Sequence, residues 1–346
     1  MPAPDQGLGA KVGHILRVAG LAFTLGVTTS TGWSDDFRFG DLNGDDRIGR
    51  ADLDRLLQAW NEDPDAVLDL DGDGRITAGD VAALAAAWDP WPVEGAASRQ
   101  VVRPLGTTSS DQGFWEYLPE AYLQRDDWPL LVFLHGKGEN GDGSALALQR
   151  VLVHGPPALI SANAWPVPDS AIGDEFVVLS PQHSGDRDRC HSGDDVAAFL
   201  EWAIDRYDVD PDRVYLTGLS CGGYGIWEYL AGSDARVPGS LAAAVVPICG
   251  DGRPTWNRLG CDLGRTPIWS FHGDADRVVP IAGSDVPMEG LDGCDATVVR
   301  DARYTIYPGV GHDSWTRTYD LRAGHDVYAW LHSHRRPRRE PVGIPE

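Results

Sequence analysis

The stretch Gly218-Leu219-Ser220-Cys221-Gly222 decides the fold of this chain. It follows an apolar run at 213–217, which is typical of a strand, and it precedes a helix-like run at 224–230. Glycines on both sides of a serine allow a sharp turn between a strand and a helix, and such a turn lifts the serine hydroxyl above the sheet. Many matches to this pattern are ordinary turns, so its interpretation depends on the rest of the chain.

Two later segments supply an acid and a histidine in the order that a serine nucleophile requires. Asp276 follows the apolar run 267–271, and His312 follows the run 304–307. The order serine, acid, histidine, with each residue just beyond a strand, is that of the α/β-hydrolase triad. We therefore predict that Ser220 is the nucleophile, that His312 is its base, and that Asp276 orients the histidine.

Other polar residues compete for these roles. Asp274 shares a loop with Asp276, but its spacing after the preceding His-Gly pair favours Asp276 as the acid, and Asp313 is interpreted as structural or solvated. His135 and His272 precede glycines at strand ends, where histidine is commonly packed or hydrogen-bonded. Three further histidines are expected in loops that border the cleft: His154, His183 and His191.

A second glycine-rich stretch, Leu134-His135-Gly136-Lys137-Gly138, ends an earlier predicted strand. Backbone N–H groups of such a loop, together with that of Cys221, hold the negative oxygen of a tetrahedral intermediate and are typically worth about 3 kcal/mol each. The sequence leaves open whether Lys137 or Gly138 donates, and a glycine-rich turn without a catalytic part is the alternative. Trp315 lies close enough to His312 along the chain to border the substrate.

From residue 101 onward, apolar runs alternate with helix-like segments. This alternation predicts an α/β fold with a mainly parallel sheet covered by helices on both faces. The predicted strands are 115–118, 130–134, 176–179, 214–217, 243–248, 268–271 and 304–307, and the predicted helices are 145–152, 194–207, 223–230, 314–318 and 327–332.

An acidic segment is duplicated ahead of these elements. Residues 41–52 recur at 69–80 with about half of the positions identical, and an apolar helix follows each copy. Oxygen ligands at positions 1, 3, 5 and 12 of such a loop, with a backbone carbonyl at position 7, are what Ca²⁺ requires. The predicted ligands are Asp41, Asn43, Asp45, Arg47 and Asp52 in the first copy, and Asp69, Asp71, Asp73, Arg75, Thr77 and Asp80 in the second.

The two predicted calcium sites differ in strength. The first copy has Asp46 at the sharp turn and Gly49 at position 9, whereas the second has Gly74 and Thr77 there, so the first site is expected to be the weaker. Unpaired carboxylates would repel one another, and folding of the module is therefore expected to depend on the metal. The alternative is a solvated acidic surface.

The termini and the overall charge narrow the class of protein further. The 346-residue chain carries a net charge of −23, which argues against nucleic acid and anionic membranes as partners. Residues 1–32 are interpreted as a secretion signal, with a disordered tail as the alternative, and the preferred localisation is therefore extracellular. The expected organisation continues with a module at 38–90, a linker at 91–100, a catalytic domain at 101–334 and a basic, proline-containing tail at 335–346.

Five cysteines are compatible with two disulfides and one free thiol in an exported protein, or with small buried hydrophobic residues. Their connectivity is not readable from the sequence. The cysteines are Cys190, Cys221, Cys249, Cys261 and Cys294.

The duplicated loops resemble a type I dockerin, a calcium module that attaches extracellular enzymes to cohesin domains. Aspartate at position 12 of both loops and a single helix after each loop favour a dockerin over an ordinary EF-hand pair. In many dockerins a Ser-Thr pair at loop positions 10 and 11 recognises cohesin. This chain has Arg50-Ala51 and Ala78-Gly79 at those positions. The resemblance therefore implies the calcium fold and leaves cohesin binding open.

The catalytic region resembles the polyester-depolymerase and feruloyl-esterase-like branch of the α/β-hydrolases, whose members are also described as phospholipase/carboxylesterases or predicted peptidases. The stretches that carry the resemblance are 134–141, 154–157, 180–182, 212–220 and 307–315. It implies ester hydrolysis through an acyl-serine without a catalytic cofactor. Cys221 departs from the Met or Ala common after the nucleophile, and a disulfide to Cys249 is one pairing considered for it.

The expected function is that of a secreted serine esterase acting on acetyl or feruloyl esters linked to polysaccharide. A peptidase of the same fold is one alternative, because the same triad also cleaves amides. A non-catalytic calcium-dependent binding or scaffold-attachment protein is the other, and the complete order of Ser220, Asp276 and His312 argues against it.

Overall fold

The computed structural model describes residues 42, 50–59, 68–70, 75–87, 100–183, 189–232 and 240–336. The predicted signal at 1–32 and most of the predicted linker and tail lie outside the described residues.

One eight-stranded sheet organises the larger part of the chain. Its strand order is β1-β2-β4-β3-β5-β6-β7-β8; β2 runs antiparallel to β1 and β4, and every other neighbouring pair is parallel. This is the α/β-hydrolase topology, as predicted. The strands are β1 (Gln100–Arg103), β2 (Phe114–Tyr117), β3 (Trp128–Leu134), β4 (Val177–Pro181), β5 (Val209–Leu219), β6 (Ala244–Ile248), β7 (Ile268–Gly273) and β8 (Ala302–Tyr307).

Helices follow most of the strands, as a parallel sheet requires for its crossovers. In the part of the chain that the structure describes they are α1 (Arg50–Gln58), α2 (Ala78–Ala87), α3 (Ala145–Leu148), α4 (Gly155–Ser161), α5 (Gly193–Arg206), α6 (Cys221–Gly232), α7 (Arg253–Leu259), α8 (Ala282–Asp292), α9 (Trp315–Tyr319) and α10 (Val327–His332). Short 3₁₀ turns span Tyr122–Gln124, Lys137–Glu139, Gln149–Val153 and Gly260–Arg265.

The central strands are apolar on both faces, so two hydrophobic layers enclose the sheet. Along β3, Leu130 and Val132 pack into one layer, whereas Leu131 and Phe133 pack into the other. Successive side chains of a strand point to opposite faces, and a strand covered on both sides therefore reads as a continuous apolar run. The carboxyl ends of β3 and β5 lie level, with Leu134 opposite Gly218 in register.

The helices and strands that were not predicted from the sequence contain proline or are short. Helices α4 and α7 carry proline at their first positions, where it is tolerated because its missing N–H has no intrahelical partner, whereas α8 contains Pro287 in its interior. The four-residue strand β1 begins at Gln100, so the predicted linker ends one residue earlier than expected. The predicted helix 145–152 is the short helix α3 followed by a 3₁₀ turn.

The start of the basic tail is bound to residues at the start of β5. Arg335 pairs with Asp210, and Arg336 donates its backbone N–H to the carbonyl of Asp212 at 2.8 Å. Asp210 and Asp212 at the start of β5 thus bind the first two arginines of the predicted basic, proline-containing tail.

In the smaller module, α1 and α2 follow the acidic loops as predicted. Among the residues of this module that the structure describes, five buried apolar side chains form a separate core, and they are Leu42, Leu56, Leu68, Ile76 and Leu84. No helix among the described residues is long and apolar enough to span a bilayer.

We predict that Gly222→Ala destabilises the hydrolase domain, because a Cβ at residue 222 would collide with the carbonyl of Leu134. Overpacking against backbone costs about 2 kcal/mol or more. Thermal unfolding of the full chain measures the effect. Gly173→Ala is the matched control, since a Cβ there meets nothing within 4 Å. Equal melting temperatures for the two variants would contradict the close approach.

Candidate active site

Ser220 lies at a strained turn between β5 and α6. Its φ is +49°, a conformation that costs a non-glycine residue about 1–2 kcal/mol. The turn is held at both ends: the N–H of Ser220 donates to the carbonyl of Ile248 at 2.9 Å, and the Ser220 carbonyl accepts from the N–H of Tyr224 at 2.9 Å. A Cβ on Gly218 would lie 2.8 Å from the Leu134 carbonyl oxygen, so only glycine fits beside the turn.

The structure brings the three predicted triad residues into one hydrogen-bonded chain. His312 Nε2 lies 2.9 Å from Ser220 Oγ, and His312 Nδ1 lies 2.7 Å from Asp276 Oδ2. Both distances are within normal hydrogen-bond range. The residues stand beyond the carboxyl ends of β5, β7 and β8, where ligands bind in open α/β sheets.

Asp276 is fully buried and fixed from several directions. One carboxylate oxygen accepts the backbone N–H groups of Val278 at 2.8 Å and Val279 at 3.0 Å, and the other accepts from His312. Burial alone would raise the pKa of Asp276, but these hydrogen bonds outweigh it and hold the pKa below its usual value. Asp276 is therefore a carboxylate that is prepared to stabilise a positive charge on His312.

A buried histidine supports this carboxylate. His272 Nε2 lies 3.3 Å from Asp276 Oδ2 and 3.1 Å from the Val279 carbonyl, and His272 Nδ1 lies 2.8 Å from Ser284 Oγ. Burial lowers the pKa of His272, which favours the neutral ring. The Val279 carbonyl requires a donor, so Nε2 carries the proton and Nδ1 accepts from Ser284. The position of His272 before a glycine predicts a packed or hydrogen-bonded side chain, as observed, but does not predict its contact with the acid.

The two competing aspartates have local structural contacts. Asp274 accepts the N–H of Gly309 at 2.6 Å and so connects the acid loop to the histidine loop. Asp313 accepts the backbone N–H of Thr316 at 3.0 Å and the Thr316 hydroxyl at 2.8 Å, which caps the start of α9.

The predicted oxyanion donors lie at two turns that begin where β3 and β5 end. Lys137 and Gly138 begin the 3₁₀ turn Lys137–Glu139, and both are exposed. A Cβ on Gly138 would meet nothing within 4 Å, so open space adjoins the turn. Cys221 is the first residue of α6, where a backbone N–H has no partner within the helix.

Three buried histidines pack behind the 3₁₀ turn Lys137–Glu139, which we call the oxyanion turn after its predicted role. His135 Nε2 accepts the N–H of His183 at 3.0 Å, and the ring of His191 packs against both, with centroid distances of 4.6 Å and 5.3 Å. Burial lowers the pKa of His135 to about 4 and that of His191 well below its usual value, so both rings are neutral. His183 and His191 were expected to border the cleft, whereas both are buried because the loops that carry them fold back onto His135.

A disulfide ties the residue after Ser220 to this histidine cluster. Cys221 pairs with Cys190, and Cys261 pairs with Cys294, which leaves Cys249 as a buried free thiol. The considered Cys221–Cys249 disulfide is therefore wrong: Cys249 lies at the end of β6 on the other side of the serine turn. The two disulfides and one free thiol nevertheless match the numbers considered for an exported protein.

Cys249 Sγ and the triad atoms of Asp276 and His312 lie within 4.8 Å of one another, a spacing that could accept a metal ion. The chemistry of the set does not favour one. Burial raises the pKa of Cys249 to about 12, so its sulfur stays a thiol, and Asp276 and His312 are hydrogen-bonded to each other.

The calcium loops are described in part. Asp52 and Asp80, at position 12 of the two loops, are buried and accept the N–H groups of Leu42 and Leu70, each at 2.7 Å. Asp80 also accepts the N–H of Thr77 at 2.6 Å. Two buried carboxylates in equivalent positions fit a hard cation. Asp69 and Arg75 are also described, whereas the remaining predicted ligands lie outside the described residues, namely Asp41, Asn43, Asp45, Arg47, Asp71 and Asp73.

Comparison with known proteins supports this reading of the module. Residues 39–87 match the family model of the type I dockerin domain, and dockerin domains bind calcium. This part of the chain is thus a type I dockerin domain, as its loops predict. No curated protein sequence matches the chain.

Several solved structures are similar to the chain. A thermostable esterase is 26% identical over 68% of this chain with a TM-score of 0.48, and the match spans 63% of that esterase's length. The propionate-bound esterase 2 of Thermogutta terrifontis is 18% identical over 72% of this chain and 100% of its own, with a TM-score of 0.46. A Thermus thermophilus protein is 19% identical, covers 68% and 98% of the two chains, and has a TM-score of 0.41.

We predict that the Cys190–Cys221 disulfide restrains the oxyanion turn, because the backbone carbonyl of Arg189, next to Cys190, accepts the Asn140 side-chain N–H at 2.9 Å. In the double variant Cys190→Ala/Cys221→Ala, hydrogen–deuterium exchange should rise in peptides covering residues 137–140. The matched control removes Cys261–Cys294, whose sequence separation of 33 is close to 31.

Both double variants should lose about 3–4 kcal/mol of stability on the chain-entropy account. Only the first should change exchange at residues 137–140. Unchanged exchange there, or an equal rise in both variants, would contradict the restraint.

Proposed function

We propose that this protein is a serine esterase that hydrolyses carboxylic esters through an acyl-serine intermediate. The observation that carries the proposal is the continuous chain from Ser220 Oγ through His312 to the buried Asp276 carboxylate, placed at a strained turn beyond the sheet. A serine hydroxyl is a poor nucleophile at neutral pH unless a base lies within hydrogen-bond reach, and His312 Nε2 fulfils that requirement.

Acylation follows from this geometry. Ser220 Oγ attacks the ester carbonyl carbon while its proton passes to His312 Nε2. The carbonyl oxygen becomes negative, and the backbone N–H of Cys221 with that of Lys137 or Gly138 would donate to it. When the tetrahedral intermediate collapses, the bond to the alcohol oxygen breaks and His312 returns the proton to the leaving alcohol. The products of this half-reaction are the alcohol and acyl-Ser220.

Deacylation uses the same groups with water in place of the alcohol. His312 takes a proton from water, the hydroxide oxygen attacks the acyl carbon, and Ser220 Oγ leaves with the proton that His312 gives back. In both halves the imidazolium forms beside Asp276, whose carboxylate stabilises the positive charge. His272, Val278 and Val279 hold that carboxylate in place by the contacts described above.

The dockerin domain suggests where such an esterase works. Dockerin-bearing hydrolases usually act on plant polysaccharides, so we propose acetyl or feruloyl esters linked to polysaccharide as substrates. We further propose two calcium sites, export through residues 1–32, and a cohesin-type partner. The residues at positions 10 and 11 of the two loops leave the specificity of that partner open.

Removing Ser220 or His312 should abolish turnover without unfolding the protein. We expect Ser220→Ala and His312→Ala each to lower kcat for p-nitrophenyl acetate by about 10⁴-fold or more, because each removes a group that acts at the reacting bond. Asp276→Asn should cost about 100-fold or more, whereas Asp274→Asn is the control and should cost far less.

A larger loss in Asp274→Asn than in Asp276→Asn would show that the acid is misassigned. Full activity in Ser220→Ala would overturn the esterase proposal. A panel of acetylated and feruloylated xylan, short aryl esters and peptides distinguishes the esterase from a peptidase, for which peptides would be the better substrates.

Calcium should fold the dockerin domain without affecting ester turnover. We expect calorimetry of residues 38–90 to show two sites, with Asp69→Ala removing the tighter and Asp41→Ala the weaker. Helix content should fall in chelator and recover with calcium, since the loop carboxylates repel one another without the ion. Helix content that is insensitive to calcium would contradict the metal assignment.

A further inference from the structure

An aromatic side chain separates His312 from a second histidine. The Trp315 ring packs edge-to-face against His312 at a centroid distance of 5.2 Å and against His154 at 5.3 Å. Trp315 is buried, so it fixes the spacing of the two histidines. The Trp315 indole therefore lies between His154 and the triad residue His312.

Glu139 faces this second histidine from the oxyanion turn. The backbone carbonyl of Glu139 accepts Gln182 Nε2 at 2.8 Å, and the Glu139 side chain is only 12% exposed. Burial raises the pKa of Glu139, although His154 and nearby backbone N–H groups act against the rise.

His154 and Glu139 approach each other without forming a direct hydrogen bond. His154 Nε2 lies 3.9 Å from Glu139 Oε1, which is longer than a hydrogen bond. The His154 side chain is 33% exposed, and although the residue precedes α4 it makes no capping bond there. Both side chains keep part of their surface exposed, so a ligand atom can reach the two groups together.

An oxygen atom beside this pair, off the line that joins Nε2 and Oε1, can lie roughly 2.8 Å from each of them. His154 can donate through Nε2, while the Glu139 carboxylate accepts. Among the groups that an ester substrate can carry, a hydroxyl both accepts and donates through a single atom, whereas a carbonyl or ether oxygen accepts only.

We propose that His154 and Glu139 bind a hydroxyl group of the ester substrate. His154 Nε2–H donates to the hydroxyl oxygen, and the hydroxyl proton is donated to Glu139. The inference rests on the proposed esterase function and narrows its substrates to hydroxylated esters. The hydroxyl belongs either to the acyl part, as in hydroxycinnamates, or to the alcohol part, as in sugars, and the two sources are separable by experiment.

The test compares esters that differ by one hydroxyl. The acyl pair is methyl 4-hydroxycinnamate and methyl cinnamate, and the alcohol pair is trans-2-hydroxycyclohexyl acetate and cyclohexyl acetate. In one of the two pairs, the wild type should favour the hydroxylated ester by about tenfold or more in kcat/KM, because a site built for a hydroxyl rejects the analogue without it. The pair that shows the preference identifies the source.

Two variants test the residues themselves. His154→Phe keeps a ring against Trp315 and removes the donor, and Glu139→Gln keeps the shape and removes the charge. Each should lower kcat/KM for the hydroxylated ester about tenfold and change that for its partner less than about threefold. Val153→Ala is the neighbouring control: its side chain is exposed, and the variant should leave the ratio unchanged.

The absence of a preference in both pairs would overturn the inference while leaving esterase activity intact. An equal loss for both members of a pair in Glu139→Gln and His154→Phe would also overturn it, since these residues would then serve only to shape the oxyanion turn. Failure to hydrolyse any ester, p-nitrophenyl acetate included, would overturn the proposed function and this inference together.

Discussion

The close approach of α6 to the carboxyl ends of β3 and β5 is the constraint on which the rest of the site depends. Glycine at 218 and 222 permits that approach, because a side chain at either position would meet the Leu134 carbonyl. The approach forces the positive φ of Ser220 and sets the start of α6 beside the oxyanion turn. The strain of about 1–2 kcal/mol is small against the burial of two hydrophobic layers around the sheet.

Burial determines the charge of each polar group around this turn. Asp276 stays ionised because three N–H donors reach its two oxygens. Burial lowers the pKa of His135, His191 and His272, and their rings stay neutral. The neutral histidines serve as rigid hydrogen-bonded supports. His312 is half-buried, next to the serine, where a proton has to move.

Much of the fold and the candidate triad could be predicted from the sequence, since both depend on local pattern. Strands buried on both faces are continuous apolar runs, and each triad residue follows such a run directly. Strand β1 was not predicted because it has four residues and no apolar run. Helix α8 was not predicted because Pro287 interrupts its helical pattern. Contacts between separate segments could not be predicted: Cys190 with Cys221 and His154 with Glu139 meet only in the folded chain. His272 and Asp276 are four residues apart, and their contact depends on the conformation of the loop after β7.

The central claim is that Ser220 is a nucleophile activated by His312. Its most direct test is covalent labelling with a fluorophosphonate, followed by intact mass measurement and peptide mapping of the wild type and of His312→Ala. The account predicts one adduct per chain, on Ser220, and labelling slowed by orders of magnitude in His312→Ala. Labelling of another residue, or equally fast labelling of Ser220 without His312, would contradict it.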